Sequence, residues 1–370
     1  MTQPPHESIP PIGENDRNLA AHLFNSARLV LAREFCGYTQ KELAERVEKT
    51  SSAISQFEKG KAKPDGLTLV KISLATGFPV SYFAQPDRVQ RLETDACHFR
   101  SLRSTTETNK RQILAHGSML CELVNHVEKF VELPPENVSA IRTEVYSEED
   151  IEACAESVRA AWNLGLGPIP DMIKLLESKG VIVSFVSGHS SKMDAFSAWL
   201  EHRPYVFLNT AKDSSSRMRF NAAHELGHLV MHRHVEPGDK IHEKQANRFG
   251  SAFLLPKGPF QAECPSWLNW DHFYELKRRW KVSVSALVRR AYDLDLMSEA
   301  SFERACIHLN KTGERLQERH EPAPERPVLL EKSILKIESE GLADYPLPAS
   351  LGWGSDKFNA ILSTTRLGPP

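Results

Sequence analysis

A chain of 370 residues is long enough for two or three domains, since a single hydrophobic core rarely grows much past ~250 residues. With 41% hydrophobic and 25% charged residues its composition is neither disordered nor fibrous, and a formal net charge of −2 excludes a molecule coated in cationic surface while allowing a basic patch on one domain. No apolar run approaches the ~18 residues of a membrane span, and the polar, proline-rich start lacks the regions of a signal peptide, so the expected location is cytoplasmic, without membrane contact.

The six cysteines, Cys36, Cys97, Cys121, Cys154, Cys264 and Cys306, contain no Cys-x-x-Cys pair and read as free thiols in a reducing compartment. Residues 1–17 are expected to be a disordered lead. Leu19, Leu23, Ala27, Val30 and Leu31 then form a helical stripe over residues 18–34, stopped by Gly37. Thr39 caps a second helix over residues 40–47, with Glu42 completing a capping box. Residues 49–51 turn the chain into a third helix over 52–59. Two short helices joined by a tight turn, the second polar, is the helix-turn-helix plan.

On that second helix Ser51, Ser52, Ser55 and Gln56 can hydrogen-bond base edges or phosphates, while Ala53, Ile54 and Phe57 face inward. Gln40, at the start of the preceding helix, joins the DNA-facing set, and Lys59, Lys61 and Lys63 can contact phosphate. Residues 18–85 carry nine Lys/Arg against six Asp/Glu, a positive excess in a net acidic chain. The runs Tyr38-Thr-Gln-Lys-Glu-Leu-Ala-Glu-Arg-Val and Ser52-Ala-Ile-Ser-Gln-Phe-Glu-Lys-Gly, followed by Pro64 and Leu69-Val-Lys-Ile-Ser, resemble the five-helix DNA-binding domain of the Cro/C1 (Xre) phage-repressor family. That resemblance implies sequence-specific binding of double-stranded operator DNA, usually as a homodimer.

Residues 86–149 form a helical linker. Its distinctive run is Phe99-Arg-Ser-Leu-Arg, and Ile113, Leu120, Leu123, Val124, Val127 and Val131 mark a long amphipathic helix over residues 106–131, ended by Pro134-Pro135. It reads as a strut packed on the domain that follows, with dimer contact as a lesser use. The linker resembles that of large Xre regulators carrying a metallopeptidase-like domain.

The second domain is placed at residues 150–300. Helical patterns over 148–162 and 172–178 precede three β-rich runs at 181–186, 195–200 and 205–208, whose separations suit antiparallel connections. The free edge of such a sheet suits an extended peptide in zinc peptidases. Residues 214–216 then cap a helix over 217–231 that contains His224-Glu225-Leu226-Gly227-His228. At helical spacing the two imidazoles share one face, where one Zn2+ can bridge them, and Glu225 can take a proton from water acidified by the ion. A shuffled chain of this composition shows such a pentamer about one time in twenty, so its surroundings must decide. A catalytic zinc needs a third protein ligand. A second amphipathic helix, marked by Ala246, Phe249, Ala252 and Phe253, offers Glu243, but Glu236, His232, His234 and His242 are rivals that spacing does not separate.

The run Arg219-Phe-Asn-Ala-Ala-His-Glu-Leu-Gly-His, followed by Glu243-Lys-Gln-Ala-Asn-Arg-Phe-Gly-Ser-Ala-Phe-Leu-Leu-Pro, resembles the ImmA/IrrE metallopeptidase family. The resemblance implies a zincin-like domain in which His224, His228 and Glu243 hold Zn2+ and Glu225 is the catalytic base. Gly250 departs from the pattern, where Ala is more usual. Helices over 267–280 and 284–294 are expected to pack on this core, and residues 301–370 form a C-terminal extension without a legible role. The fold class is α+β and mostly helical, with a small, mostly antiparallel sheet. The expected function is a DNA-binding regulator with a zinc-dependent endopeptidase domain that cuts a transcriptional repressor to relieve repression. The alternatives are a transcription factor whose zinc domain is a non-catalytic sensor, and a toxin–antitoxin or mobile-element component. His202 and His232 are the candidate oxyanion donors.

Overall fold

The computed structural model describes residues 13–86, 91–92, 97–98, 106–139, 147–186, 194–210, 214–233, 235, 239–314 and 318–366. It divides into two compact units: Met1–Arg91 with Thr106–His126 and Glu340–Ile361, and Leu92–Thr105 with Val127–Ser339 and Leu362–Pro370. Residues 1–12 of the expected lead, and the run at 99–103, lie outside the described residues.

The first unit opens with α1 (Glu14–His22) and α2 (Ser26–Phe35), where the stripe predicts one helix. The chain breaks because the Asn25 side chain accepts the Ala27 N–H and caps α2, while the Asn25 N–H leaves the helical ladder for Phe83 O at 2.7 Å. The rest follows the expected plan: α3 (Gln40–Arg46) with the Thr39/Glu42 capping box, α4 (Ser51–Glu58) capped by Thr50, α5 (Gly66–Thr76), and a 3-10 helix at Val80–Ala84. Leu29, Leu43, Ile54, Leu69, Ile72 and Phe83 are fully buried between them, each stabilising the bundle by roughly 1.5–3 kcal/mol. The expected strut is α6 (Glu107–Val127), and apart from its last residue it clusters with this unit rather than with the second. His116 stacks on Phe35 with ring centroids 4.2 Å apart, and Glu122 pairs with Arg28 at 2.7 Å with both side chains 2% exposed. A charge pair that deeply buried docks α6 specifically, since neither partner tolerates loss of the other.

The second unit contains β1 (Cys97–His98), α7 (Glu148–Ala161), α8 (Met172–Ser178), β2 (Ile182–Val186), β3 (Ala195–Leu200) and β4 (Arg203–Asn209). The sheet order is β1-β3-β4-β2. β3 pairs antiparallel with β1 and with β4, but β2 runs parallel to β4. The expected antiparallel connection from β2 to β3 is therefore not made: β4, buried at every position, takes the place between them. The intervening residues 187–193 lie outside the described residues. β4 also starts earlier than expected, at Arg203, because Pro204 sits near the strand start, where its missing N–H is tolerated.

Helices α9 (Ser215–Met231), α10 (Lys240–Leu254), α11 (Lys257–Glu263), α12 (Trp270–Trp280), α13 (Val284–Asp293) and α14 (Glu299–Lys311) complete the core around Leu226, Phe249, Phe253 and Leu287. The following segment has a legible structural role. Glu318 accepts the Val284 N–H at 2.8 Å, Glu321 the Ser216 N–H at 2.9 Å and Glu325 the Met172 N–H at 2.8 Å, so one acidic strap caps the starts of α13, α9 and α8. Lys277, fully buried, pairs with Glu318 and Glu321, and buried Arg219 pairs with Glu325. Glu177 in turn accepts the Val328 and Leu329 N–H groups at 3.0 Å, at the start of α15 (Leu329–Ser339). The chain then returns to the first unit through α16 (Leu347–Leu351), where Ser350 meets His126 at 2.7 Å, and α17 (Ser355–Ser363).

The protein is α+β and mostly helical, as expected. Cys36, Cys121, Cys154, Cys264 and Cys306 are free thiols. Among the described residues no helix is long and apolar enough to cross a membrane.

Candidate metal centre and DNA-facing helix

α9 is held on almost every face. Ser214 caps it, Arg219 anchors its first turns by donating to Ile169 O at 2.7 Å, and Ala222, Ala223, Leu226 and Leu229 are fully buried. His224 and His228, one turn apart, bring their Nε2 atoms to within 3.1 Å of each other. α10, capped by Asp239, presents Glu243 in its first turn, with Oε1 at 3.6 Å from His228 Nε2 and Oε2 at 3.7 Å from His224 Nε2. The three donor atoms lie within 4.8 Å of one another.

Two glycines let the helices come this close. A Cβ on Gly250 would stand 3.0 Å from His224 N, and one on Gly227 3.0 Å from the Phe249 ring. Gly227 is thus the close-packing position its place between the histidines suggests. Gly250, where alanine is more usual, is where α10 passes over the backbone of His224.

Glu225, next to His224 on α9, lies against β3 of the sheet. It is 3% exposed, and Oε2 accepts the Ser197 Oγ–H from β3 at 2.7 Å. Burial, opposed by that bond and reinforced by the charge of Glu243, pushes the carboxyl up to about 8. Burial also pushes His224 down to about 4, which keeps its imidazole in the neutral form that binds metals. Two imidazoles and a carboxylate aimed at one point are the donor set of a three-ligand zinc site, so the residues fit that ion.

Of the rival third ligands, His232 has both nitrogens engaged, Nδ1 with His228 at 3.0 Å and Nε2 with Gln245 at 2.8 Å. The His242 ring lies 4.7 Å from that of His232 and is not in the cluster. His234 and Glu236 lie outside the described residues. His202 is exposed at the β3–β4 turn, 3.3 Å from Glu128. Three partners of the site escape sequence reasoning. Ser197 carries no signal in an apolar strand, and Gln245 none in a polar turn. Asn247, which meets His224 Nδ1 at 3.0 Å, stands four residues after Glu243, and that helical period is a usable signal.

In the first unit Ser51, Ser52, Gln56, Lys59 and Lys61 are exposed and Ser55 is half-buried, while Ile54 and Phe57 are buried and Ala53 half-buried. Gln40 is half-buried, and its amide donates to Glu58 at 2.6 Å, beside the Arg33 guanidinium that pairs with the same carboxylate. α4 therefore turns a polar, basic-ended face to solvent, as a groove-reading helix does.

Two family models match parts of the chain. A helix-turn-helix family model matches residues 31–83, and the IrrE N-terminal-like peptidase domain matches residues 176–292, a span that includes His224, Glu225, His228 and Glu243. No curated protein matches the chain. The chain is a fusion of an Xre-type helix-turn-helix DNA-binding domain with an IrrE/ImmA-like domain of the metallopeptidase type.

Proposed function

We propose that the protein is a cytoplasmic DNA-binding regulator whose second domain is a zinc-dependent endopeptidase, and that its substrate is a transcriptional repressor cut to relieve repression. The observation that carries this reading is the convergence of His224, His228 and Glu243, with Glu225 buried beside them on a serine hydrogen bond. His224, His228 and Glu243 would hold the ion. A bound Zn2+ supplies Lewis acidity toward a scissile carbonyl and lowers the pKa of water.

Glu225 handles the proton. Ser197 occupies Oε2, which leaves Oε1 to accept a proton from water and pass it to the leaving amine. Exposed Ser51, Ser52 and Gln56, with Lys59 and Lys61, are the residues we assign to operator contact, and Gln40 supports α4 through Glu58. Operator binding, by a homodimer in this reading, brings the peptidase to the place where a repressor works.

The test is Glu225→Gln in the full-length protein. The variant should keep zinc and operator affinity and lose cleavage of a co-encoded repressor. Undiminished cleavage contradicts the assigned base, and a parent that binds operator and zinc but cuts no repressor favours the non-catalytic sensor.

A further inference from the structure

Both histidines of the cluster turn Nε2 toward Glu243, so each has its Nδ1 on the far side of the ring. For His228 that atom meets Nδ1 of His232 at 3.0 Å. His232 caps the C-terminus of α9, is 3% exposed, and sets its other nitrogen against Gln245 Oε1 of α10 at 2.8 Å. Two facing imidazole nitrogens at this distance share one proton, and each neutral ring carries one N–H.

The direction of sharing follows from the metal cluster. A histidine that offers Nε2 to a cation keeps its proton on Nδ1. His228 Nδ1–H then donates to His232 Nδ1, His232 carries its own proton on Nε2, and that N–H donates to Gln245 Oε1. The reverse order puts an N–H on His228 Nε2, facing Glu243, and closes the nitrogen to a metal. Gln245 sets the direction, since its carbonyl oxygen accepts and does not donate.

We propose that His232 is a positioning residue that locks His228 in the tautomer presenting Nε2 to zinc, with Gln245 as the fixed end of the relay. This rests on the zinc reading above and goes beyond it: the sequence offers His232 as a rival ligand or an oxyanion donor, and the geometry points to a partner of the ligand instead. The relay also ties the end of α9 to the first turns of α10, which carry Glu243.

Zinc affinity of the full-length protein, measured by competition with a chromogenic chelator, tests this. His232→Phe keeps a ring but no nitrogen, whereas His232→Asn places an amide oxygen where Nδ1 accepts. Loss of such an outer partner weakens metal binding by about 10–100-fold, so His232→Phe should fall in that range and His232→Asn should stay within about threefold of the parent. A phenylalanine variant that binds as tightly as the parent, or equal loss in both variants, overturns the proposal. Nitrogen-15 spectra of the parent's histidine rings need no variant: Nδ1–H on His228 with Nε2–H on His232 is the expected pair, and the opposite tautomers overturn it. His228→Ala separates the two readings. Loss there without loss in His232→Phe removes the relay alone, and no loss in either removes the zinc site.

Discussion

Ser197 on β3 reaches across to α9 and donates its hydroxyl to Glu225 Oε2 at 2.7 Å, so the carboxylate of the signature helix is aimed by the sheet beneath it. The same strand pairs with β4 at Val206 and with β1 at His98, which holds Ser197 in place from both sides. A backbone fixed by two ladders positions a side chain more tightly than a loop does.

Ser197→Ala should therefore cost both order and stability. The carboxylate loses its donor in a buried site, and an unsatisfied buried group costs about 1–3 kcal/mol. Peptidase activity should fall while zinc content stays near the parent's. Chemical denaturation and steady-state kinetics check the two halves, and unchanged kinetics would show that Glu225 needs no such support.

Gly250→Ala pits helix propensity against packing. Alanine is worth up to ~1 kcal/mol more than glycine inside a helix. Its Cβ would stand 3.0 Å from His224 N, a backbone atom that cannot swing aside, and overpacking of this kind costs about 1–3 kcal/mol. We expect net destabilisation in thermal unfolding together with weaker zinc binding, because His224 and Glu243 sit on the two helices being forced apart. A rise in melting temperature with unchanged zinc affinity would contradict the close approach.

Glu177 gives a pH dependence remote from the metal centre. Burial, opposed by the N–H groups of Leu329 and Val328, raises its carboxyl from the ordinary 4.5 to about 7. The folded state thus holds this proton more tightly than the unfolded one. The associated stability is fully present below the ordinary value and is lost as pH rises through about 7, by up to ~3 kcal/mol. Glu177→Gln removes the titration but keeps an acceptor for the α15 start. Urea unfolding should show the variant gaining on the parent between about pH 5 and pH 8, and a gap independent of pH would refute the raised value.

For the first unit, Gln56→Ala and Lys59→Ala should act differently. Loss of a base-edge partner costs about 1–3 kcal/mol and relaxes sequence preference, whereas loss of a phosphate contact weakens all sequences alike and lowers the salt slope by about 0.9. Operator titrations at several salt concentrations distinguish them, and two identical profiles would undo the assignment.

The legible parts of this protein are those encoded by short spacings. Thr39 and Glu42 form their capping box three residues apart, and His224 and His228 follow the helical period. What depends on distant partners is not written locally. The stripe from Leu19 to Leu31 runs unbroken through Asn25, yet Leu19 and Leu23 are 58% and 54% exposed because Asn25 ends the ladder there. Runs rich in β-branched and aromatic residues mark β2, β3 and β4 but not which neighbour each one takes, so the parallel β2–β4 pair is invisible until the sheet is assembled. Glu318, Glu321 and Glu325 look like solvated charge in a proline-rich tail. Their role depends on three helix starts that lie far away in sequence.

The proposed chemistry of the second domain depends on His224, His228 and Glu243 forming one zinc site. Elemental analysis of the full-length protein purified with zinc, beside His228→Ala and Glu243→Ala, tests it most directly. We expect about one zinc per chain in the parent and little in either variant, since a catalytic site has only three protein ligands to lose. Equal zinc content in all three proteins would contradict it.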